Sequence, residues 1–214
     1  MNPRGKTRGA GRPGPRPQPA TLNRAAEAQG APRQRLFVAL DLPDDALAAV
    51  WAWQDLVFAD LPDVRTNHAL HLTLCFLGET PSHAVPLLSG ALAAVPFRRC
   101  TLAFGEPIFL PERGKKNVVA LPLVDAAHQP GGLAAVRELQ AGVGAALAAS
   151  GFYRLERRPY LAHVTVARFR RPGHPFPLHI VNLPELCPSR LVLYTSDLDK
   201  AGAVHTPLAE FTPG

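Results

Sequence analysis

The chain has 214 residues, of which 47% are hydrophobic and 19% charged, and this composition is typical of a globular protein. No apolar run in it reaches the ~18 residues that a membrane span needs, and the charged N-terminus lacks the apolar segment of a secretory signal. Its three cysteines, Cys75, Cys100 and Cys187, form no CxxC pair. We therefore expect reduced thiols in a cytoplasmic protein.

The net charge of +6 lies entirely in the first 34 residues, where seven Arg and Lys residues stand against Glu27 alone. This segment is rich in Pro and Gly and has almost no large apolar side chains, so it cannot bury enough surface to offset its chain entropy. We predict a disordered basic tail at 1–34 and one folded domain at 35–214. A basic tail adds unspecific attraction to RNA, but we favour a solubilising extension without a specific role.

Apolar runs, turn residues and helical periodicity predict the elements of the folded part. In chain order they are a strand at 36–40, a helix at 44–58, a strand at 71–77, a helix at 81–95, strands near 100–110 and 117–124, a helix at 132–149 that Gly151 ends, and strands at 162–169, 190–196 and 204–211. Strands and helices alternate in a similar way in both halves. This suggests an internal duplication and an α+β fold with two similar lobes.

One short motif occurs once in each half. His71-Leu72-Thr73-Leu74 and His163-Val164-Thr165-Val166 both alternate polar and apolar residues. In a strand, residues two apart point to the same face, so each motif presents an imidazole and a hydroxyl on one side and an apolar surface on the other. If the lobes pack symmetrically, two imidazoles and two hydroxyls meet in a cleft.

This set of side chains suits in-line displacement at phosphorus. One imidazole can activate water while the other protonates the leaving oxygen, and two hydroxyls can hold the non-bridging oxygens. Neither motif contains Asp or Glu, so the chemistry requires no metal or other cofactor. One such motif alone would indicate a structural histidine, and it is the repetition in matching halves that favours catalysis.

The other histidines and the cysteine beside the first motif have simpler interpretations. His68 and His71 form an HxxH pattern, but the spacing places no third metal ligand. Cys75 fits a small core residue without a base partner, rather than a nucleophile. We interpret the remaining histidines as structural residues in or near loops: His83, His128, His174, His179 and His205.

The two motifs resemble those of the 2H phosphoesterases, and specifically of the RNA 2′,3′-cyclic phosphodiesterases, also called the bacterial 2′-5′ RNA ligase family. The stretches HLTLCFLGE and HVTVAR resemble the two family motifs, and RLFVALDLP resembles the family's first strand. SRLVLYTS and HTPLAEF resemble its end. The resemblance covers about residues 35–212.

The resemblance implies a fold, an activity and roles for individual residues. The implied fold is α+β and bilobal, with two antiparallel sheets related by a pseudo-twofold axis, helices outside and an active-site cleft between the lobes. The implied reaction opens RNA 2′,3′-cyclic phosphates to 2′-phosphomonoesters. His71 would be the proton donor to the departing 3′-oxygen, and His163 the proton acceptor that activates water.

The resemblance also suggests which residues contact the substrate. Thr73 and Thr165 would bind the phosphate, and Arg168 would be a further phosphate contact. Strict alternation places Arg168 off the histidine face, so this role requires a bulge or a strand end. Phe37 would stack on a base, or else pack in the core.

Two alternatives remain open at the level of the sequence. The same site could carry out 2′-5′ RNA ligation, because the reaction is reversible. The protein could also bind RNA ends without turnover, with the basic tail supplying affinity. In each case the partner is RNA or a nucleotide with a 2′,3′-cyclic phosphate; nothing implies a membrane or an obligate protein partner, and a monomer suffices.

Overall fold

A computed structural model describes residues 30–173, 176–178, 183–198 and 203–214. Most of the segment for which we predict disorder, residues 1–29, lies outside the described residues. The first strand begins at Arg33, two residues before the predicted start of the domain. The strands are β1 (Arg33–Asp41), β2 (Val64–Thr66), β3 (His71–Pro81), β4 (Leu102–Phe104), β5 (Ile108–Leu110), β6 (Lys116–Asp125), β7 (His163–Gly173), β8 (Leu191–Leu198) and β9 (Ala203–Phe211).

Three α-helices lie between these strands: α1 (Asp44–Phe58), α2 (Val85–Ala93), which follows a short 3₁₀ turn (Ser82–Ala84), and α3 (Gly132–Ala149). The bounds of α1 and α3 confirm the prediction. Asp44 and Asp45 lie at the positive end of α1, where carboxylates are stabilising. Gly151 has a φ of 80° just beyond α3, a conformation that favours glycine after a helix end. No described helix has the length and apolar character to cross a membrane.

The nine strands form an antiparallel sheet in the order β4-β6-β7-β3-β1-β8-β9, with β2 beside β7 and β5 beside β6. One half of the sheet is β3-β1-β8-β9, and the other consists of β7, β6, β5, β4 and β2. Between β3 and β7, the pair Leu72–Val164 joins the two halves. This architecture confirms the α+β fold of two antiparallel halves. The three-residue strand β2 was absent from the sequence prediction.

The core lies between the helices and the apolar face of the sheet. Leu72 and Val164 are fully buried in it, as are Val50 of α1 and Val143 of α3. Burial of a side chain of this size contributes about 1.5–3 kcal/mol. The alternation of the two motifs therefore fixes which sheet face turns toward the helices, and the polar residues must occupy the other face.

Candidate active site

The two motifs meet at the centre of the sheet, where the two halves join. Leu72 lies opposite Val164 in an antiparallel pair, and both side chains point into the core. By this register His71 faces Thr165 and Thr73 faces His163, on the side of the sheet away from the helices. Opposite residues in such a pair have Cβ atoms about 5 Å apart. The structure thus brings the four motif residues together in one place.

The two imidazoles are oriented in the same way. Nδ1 of His71 lies 2.9 Å from the carbonyl oxygen of Ala69, and Nδ1 of His163 lies 2.8 Å from that of Leu161. A carbonyl only accepts hydrogen bonds, so Nδ1 carries the proton in both rings. Nε2 of each neutral ring is therefore the nitrogen that can accept a proton.

Residues just before each motif hold the backbone of the other motif. Asn67, four residues before His71, donates from Nδ2 to the carbonyl oxygen of Thr165 at 2.8 Å. Tyr160, three residues before His163, donates from its hydroxyl to the carbonyl oxygen of Thr73 at 2.8 Å. These reciprocal bonds fix the relative position of the two motifs beyond what one strand pair provides.

Each motif strand carries a β-bulge directly after its threonine. In β7, Ala167 pairs with Val119 but Thr165 pairs with the next residue, Ala120, so Val166 has no opposite residue. The pairing of β3 with β1 shifts at the corresponding place, where Leu74 is passed over. A bulge reverses the alternation of the residues that follow it. Arg168 and Phe76, five residues after their histidines, therefore lie on the histidine face.

Arg168 lies on the histidine face, as its predicted role as a phosphate contact requires. It is exposed, and its positive charge is close enough to help lower the pKa of His71. The bulge at Val166 supplies the change of face that a regular strand would not give.

A buried glutamine from α1 holds the bulge of β7. Gln54 is fully buried, and its Nε2 donates to the carbonyl oxygens of Val166 at 2.6 Å and Asn67 at 2.9 Å. Its Oε1 has no hydrogen-bond partner among the described residues. In the other half, Nε2 of Gln140 from α3 lies 3.5 Å from the carbonyl oxygen of the bulged Leu74. Helices α1 and α3 thus each contact the motif strand that lies in the other half of the sequence.

Phe37 lies beside His71 in a cluster of rings. Its ring centroid is 4.9 Å from that of His71 and 5.2 Å from that of Tyr194, on which it stacks. Its side chain is only 3% exposed. The ring therefore packs against the imidazole, and little of it is open to a base.

His205 belongs to the same cluster, and its placement in or near a loop was wrong. It lies in β9, with its ring 5.2 Å from His71 and 4.8 Å from Phe37, edge to face in both cases. Its Nδ1 is buried and has no hydrogen-bond partner among the described residues. The predicted strand at 204–211 already contained His205 and was the signal against a loop position.

The surroundings of His71 disfavour its charged form. Burial contributes most to lowering its pKa, to about 4, followed by the neighbouring charge of His205 and, more weakly, those of His163 and Arg168; the Ala69 carbonyl opposes them. Burial also lowers the pKa of His205. At neutral pH His71 of the free protein is therefore a neutral ring, and an anion beside it raises its pKa.

Phe76 is a site residue that the sequence analysis missed. Its side chain is 62% exposed, and its ring centroid lies 6.0 Å from that of Phe37. Alignment of the two motifs, HLTLCF with HVTVAR, places Phe76 at the position of Arg168 and could have identified it. The first copy of the motif thus ends in an exposed aromatic ring, and the second copy ends in an exposed guanidinium.

The remaining candidates lie away from the site or outside the described residues. Cys75 is buried, and burial raises the pKa of its thiol to about 11, which fits a core residue. Nε2 of His68 lies 3.1 Å from the Thr66 hydroxyl. His174 and His179 lie outside the described residues. Within the part of the chain that the structure describes, no group of three His, Cys, Asp or Glu residues lies close enough to hold a metal ion.

The antiparallel sheet with two His-x-Thr strands joined at its centre defines the class of the 2H phosphoesterases. No family model matches the chain. Over 187 residues it is 32% identical to the RNA 2′,3′-cyclic phosphodiesterase of Thermus thermophilus, and the match covers 83% of this chain and 89% of that protein. The chain therefore belongs to the RNA 2′,3′-cyclic phosphodiesterase family, and it is a hydrolytic phosphoesterase.

Two further comparisons agree with this family. An RNA 2′,3′-cyclic phosphodiesterase of Geobacillus stearothermophilus is 28% identical over 186 residues, covering 81% of this chain and 56% of that protein. The crystal structure of E. coli LigT complexed with 3′-AMP has a TM-score of 0.69 and 24% identity, covering 85% of this chain and 99% of that one. At this identity LigT supports the fold.

Proposed function

We propose that the protein hydrolyses RNA 2′,3′-cyclic phosphate ends to 2′-phosphomonoesters, with His71 and His163 as acid and base. The proposal is supported mainly by the arrangement of two imidazoles on the paired strands β3 and β7. In each imidazole, Nδ1 is bound to a carbonyl. Both rings thus offer Nε2 for proton transfer, and Thr73 and Thr165 stand between them.

The reaction needs one proton taken and one proton given. Nε2 of His163 accepts a proton from water, whose oxygen attacks phosphorus and forms the new P–O bond. The bond from phosphorus to the 3′-oxygen breaks, and Nε2 of His71 protonates that oxygen. The phosphate stays on the 2′-oxygen, and the two histidines exchange protons with solvent before the next turnover.

The hydroxyls of Thr73 and Thr165 and the guanidinium of Arg168 would hold the non-bridging phosphate oxygens. Hydroxyl and guanidinium donors stabilise the charge that builds on these oxygens in the transition state. The bulge at Val166 supports the role of Arg168, because it turns this side chain to the histidine face.

The substrate's own charge prepares His71 to act as an acid. Its pKa of about 4 in the free protein leaves the ring neutral at pH 7. A phosphate anion beside the ring favours the imidazolium, because an opposite charge raises the pKa of a histidine. His71 thus takes up its proton together with the substrate.

We assign base stacking to Phe76 and positioning of His71 to Phe37. Phe76 is exposed on the histidine face, whereas Phe37 is covered by the imidazole and by Tyr194. Stacking of a base on an aromatic side chain is worth about 1–3 kcal/mol and tolerates any base.

One chain supplies all the residues to which we assign a role. We retain the expectation of a monomer, and that of a cytoplasmic protein.

The experiment incubates a short RNA that ends in a 2′,3′-cyclic phosphate with the protein in EDTA, and identifies the product by chromatography. We expect the wild type to form a 2′-phosphate end and His163→Ala to form it about 10²- to 10⁴-fold more slowly, while His128→Gln, an exposed position in a turn, serves as the control. A 3′-phosphate product, or activity lost to the chelator, would contradict the proposal. RNA that stays bound and uncleaved would favour end binding.

The 2′-5′ ligation alternative has the same chemical basis. Microscopic reversibility allows a 5′-hydroxyl to replace water in the same site. RNA ends with a 2′,3′-cyclic phosphate and a 5′-hydroxyl, joined by the wild type and not by His163→Ala, would show this activity.

A further inference from the structure

Three arginines form a row along the edge of the histidine face. Arg65 of β2 lies directly opposite Arg168 of β7, and Arg170 follows two residues later on the same face. All three side chains are exposed. We call Arg65, Arg168 and Arg170 the arginine row.

The arginine row lies on the same face of the sheet as the two histidines because of the bulge at Val166. Because Arg168 lies on the histidine face after the bulge, so does its cross-strand partner Arg65. Phe169, between Arg168 and Arg170, points the other way and contacts Phe109 at a ring distance of 6.1 Å. The row therefore lies beside the site, on the same face of the sheet.

Two like charges directly opposite each other weaken a sheet unless something compensates them. The ion pairs among the described residues are Arg158 with Glu156 and Arg190 with Asp41 and Glu210, and none includes the arginine row. Asp63 lies two residues before Arg65 and accepts the backbone N–H of Arg170 at its carbonyl, but its carboxylate forms no ion pair with the row. Among the described residues, therefore, no carboxylate compensates the row, and its three guanidinium groups can bind an external anion.

We infer that Arg65 and Arg170 bind the internucleotide phosphates of an RNA strand whose cyclic phosphate end lies in the site, beside Arg168. Arg168 lies about three residues, or roughly 10 Å, along β7 from Thr165, so Arg65 and Arg170 lie beyond the reacting phosphate. Guanidinium groups bind phosphate oxygens in a bidentate manner, independent of base sequence. The inference rests on the proposed function and makes the preferred substrate an oligonucleotide rather than a single nucleotide.

The test compares two substrates, a 2′,3′-cyclic mononucleotide and a short single-stranded RNA with the same end. We expect Arg65→Gln to lower kcat/KM for the RNA three- to tenfold, mainly through KM, and to leave the mononucleotide unchanged. The slope of log kcat/KM against log salt should become shallower by about 0.7 for each phosphate that the variant no longer binds. Arg65→Lys should retain most of that salt dependence. Arg137→Gln, an exposed position on α3, is the matched control.

The outcomes separate this inference from the proposed function. An equal decrease on both substrates, or none on the RNA, would overturn the arginine row as a subsite while hydrolysis itself stands. If the wild type hydrolyses neither substrate, the proposed function fails. Binding of a 2′-phosphate-ended RNA, measured by fluorescence anisotropy at two salt concentrations, then tests the row, and equal affinity of wild type and Arg65→Gln would overturn it.

Discussion

At the scale of single residues, His71 and His163 have matching motifs but different surroundings. Each donates from Nδ1 to the carbonyl of the residue two positions before it. The ring of His71 also contacts those of Phe37 and His205, and its pKa falls to about 4. The first of two similar motifs thus places its histidine in a buried cluster of rings, where burial and neighbouring charges lower its pKa.

His205 provides a prediction about His71. Replacing His205 with Gln removes a neighbouring positive charge and part of the burial, and each change raises the pKa of His71. We expect the titration midpoint of the His71 ring, followed by NMR in the free protein, to move upward from about 4. His128→Gln should leave it in place, and an unchanged or lower midpoint in His205→Gln would show that His205 does not influence His71.

At the scale of elements, the bulges decide which residues reach the site. A regular β7 would turn Arg168 toward the core, where an unpaired charge is costly. The bulge depends on the carbonyl of Val166, which accepts from the backbone N–H of Asn67 at 2.8 Å and from Nε2 of Gln54 at 2.6 Å. A helix of one half thus sets the shape of a strand of the other half.

Gln54→Leu tests this dependence. The change removes the Nε2 donor to the carbonyls of Val166 and Asn67, so we expect a decrease of about 1–3 kcal/mol in the free energy of unfolding, measured with urea. We also expect a lower kcat/KM for the cyclic mononucleotide, because Arg168 is then no longer held in a fixed position. The matched variant is Gln140→Leu, whose contact with Leu74 is 3.5 Å long. Equal effects of the two variants would argue against a special role of Gln54.

The bulges also mark where prediction from sequence stopped. The motif residues and the face they occupy followed from alternation alone, and the bounds of α1 and α3 from helical periodicity and end residues. The only trace of this bulge in the sequence is a pair of adjacent apolar residues, Val166 and Ala167, where strict alternation would place one. From the sequence we could infer that Arg168 reaches the histidine face only if a bulge precedes it. The pairing of β7 with β6 shows that bulge.

At the scale of the whole molecule, side chains from both halves meet at one strand pair. The ring of His205 lies 5.2 Å from that of His71 although two strands, β1 and β8, separate β9 from β3 in the sheet. Such pairing between distant parts of the chain has no local signal. The repetition of the motif was visible in the sequence, whereas the reciprocal bonds of Asn67 and Tyr160 depend on how the halves join.

The buried histidine makes the stability of the whole fold sensitive to acid. The pKa of His71 is about 4 in the folded state and 6.5 as an ordinary histidine, so between these values the unfolded state binds more protons. The free energy of unfolding should therefore fall as the pH decreases from 6.5 to 4 and change little from this residue above that range. In His71→Asn, urea unfolding at several pH values should show a smaller decrease, and an identical slope would contradict the burial of a neutral ring.

Acid–base catalysis by the two imidazoles is tested most directly by kcat/KM for cyclic phosphate hydrolysis in His71→Ala, His163→Ala and the double variant. If the two imidazoles act as one acid–base pair, each single change should lower kcat/KM about 10²- to 10⁴-fold. The double change should then cost little more than either one, because residues that act as a unit are not additive. Activity near that of the wild type in either single variant would contradict the account.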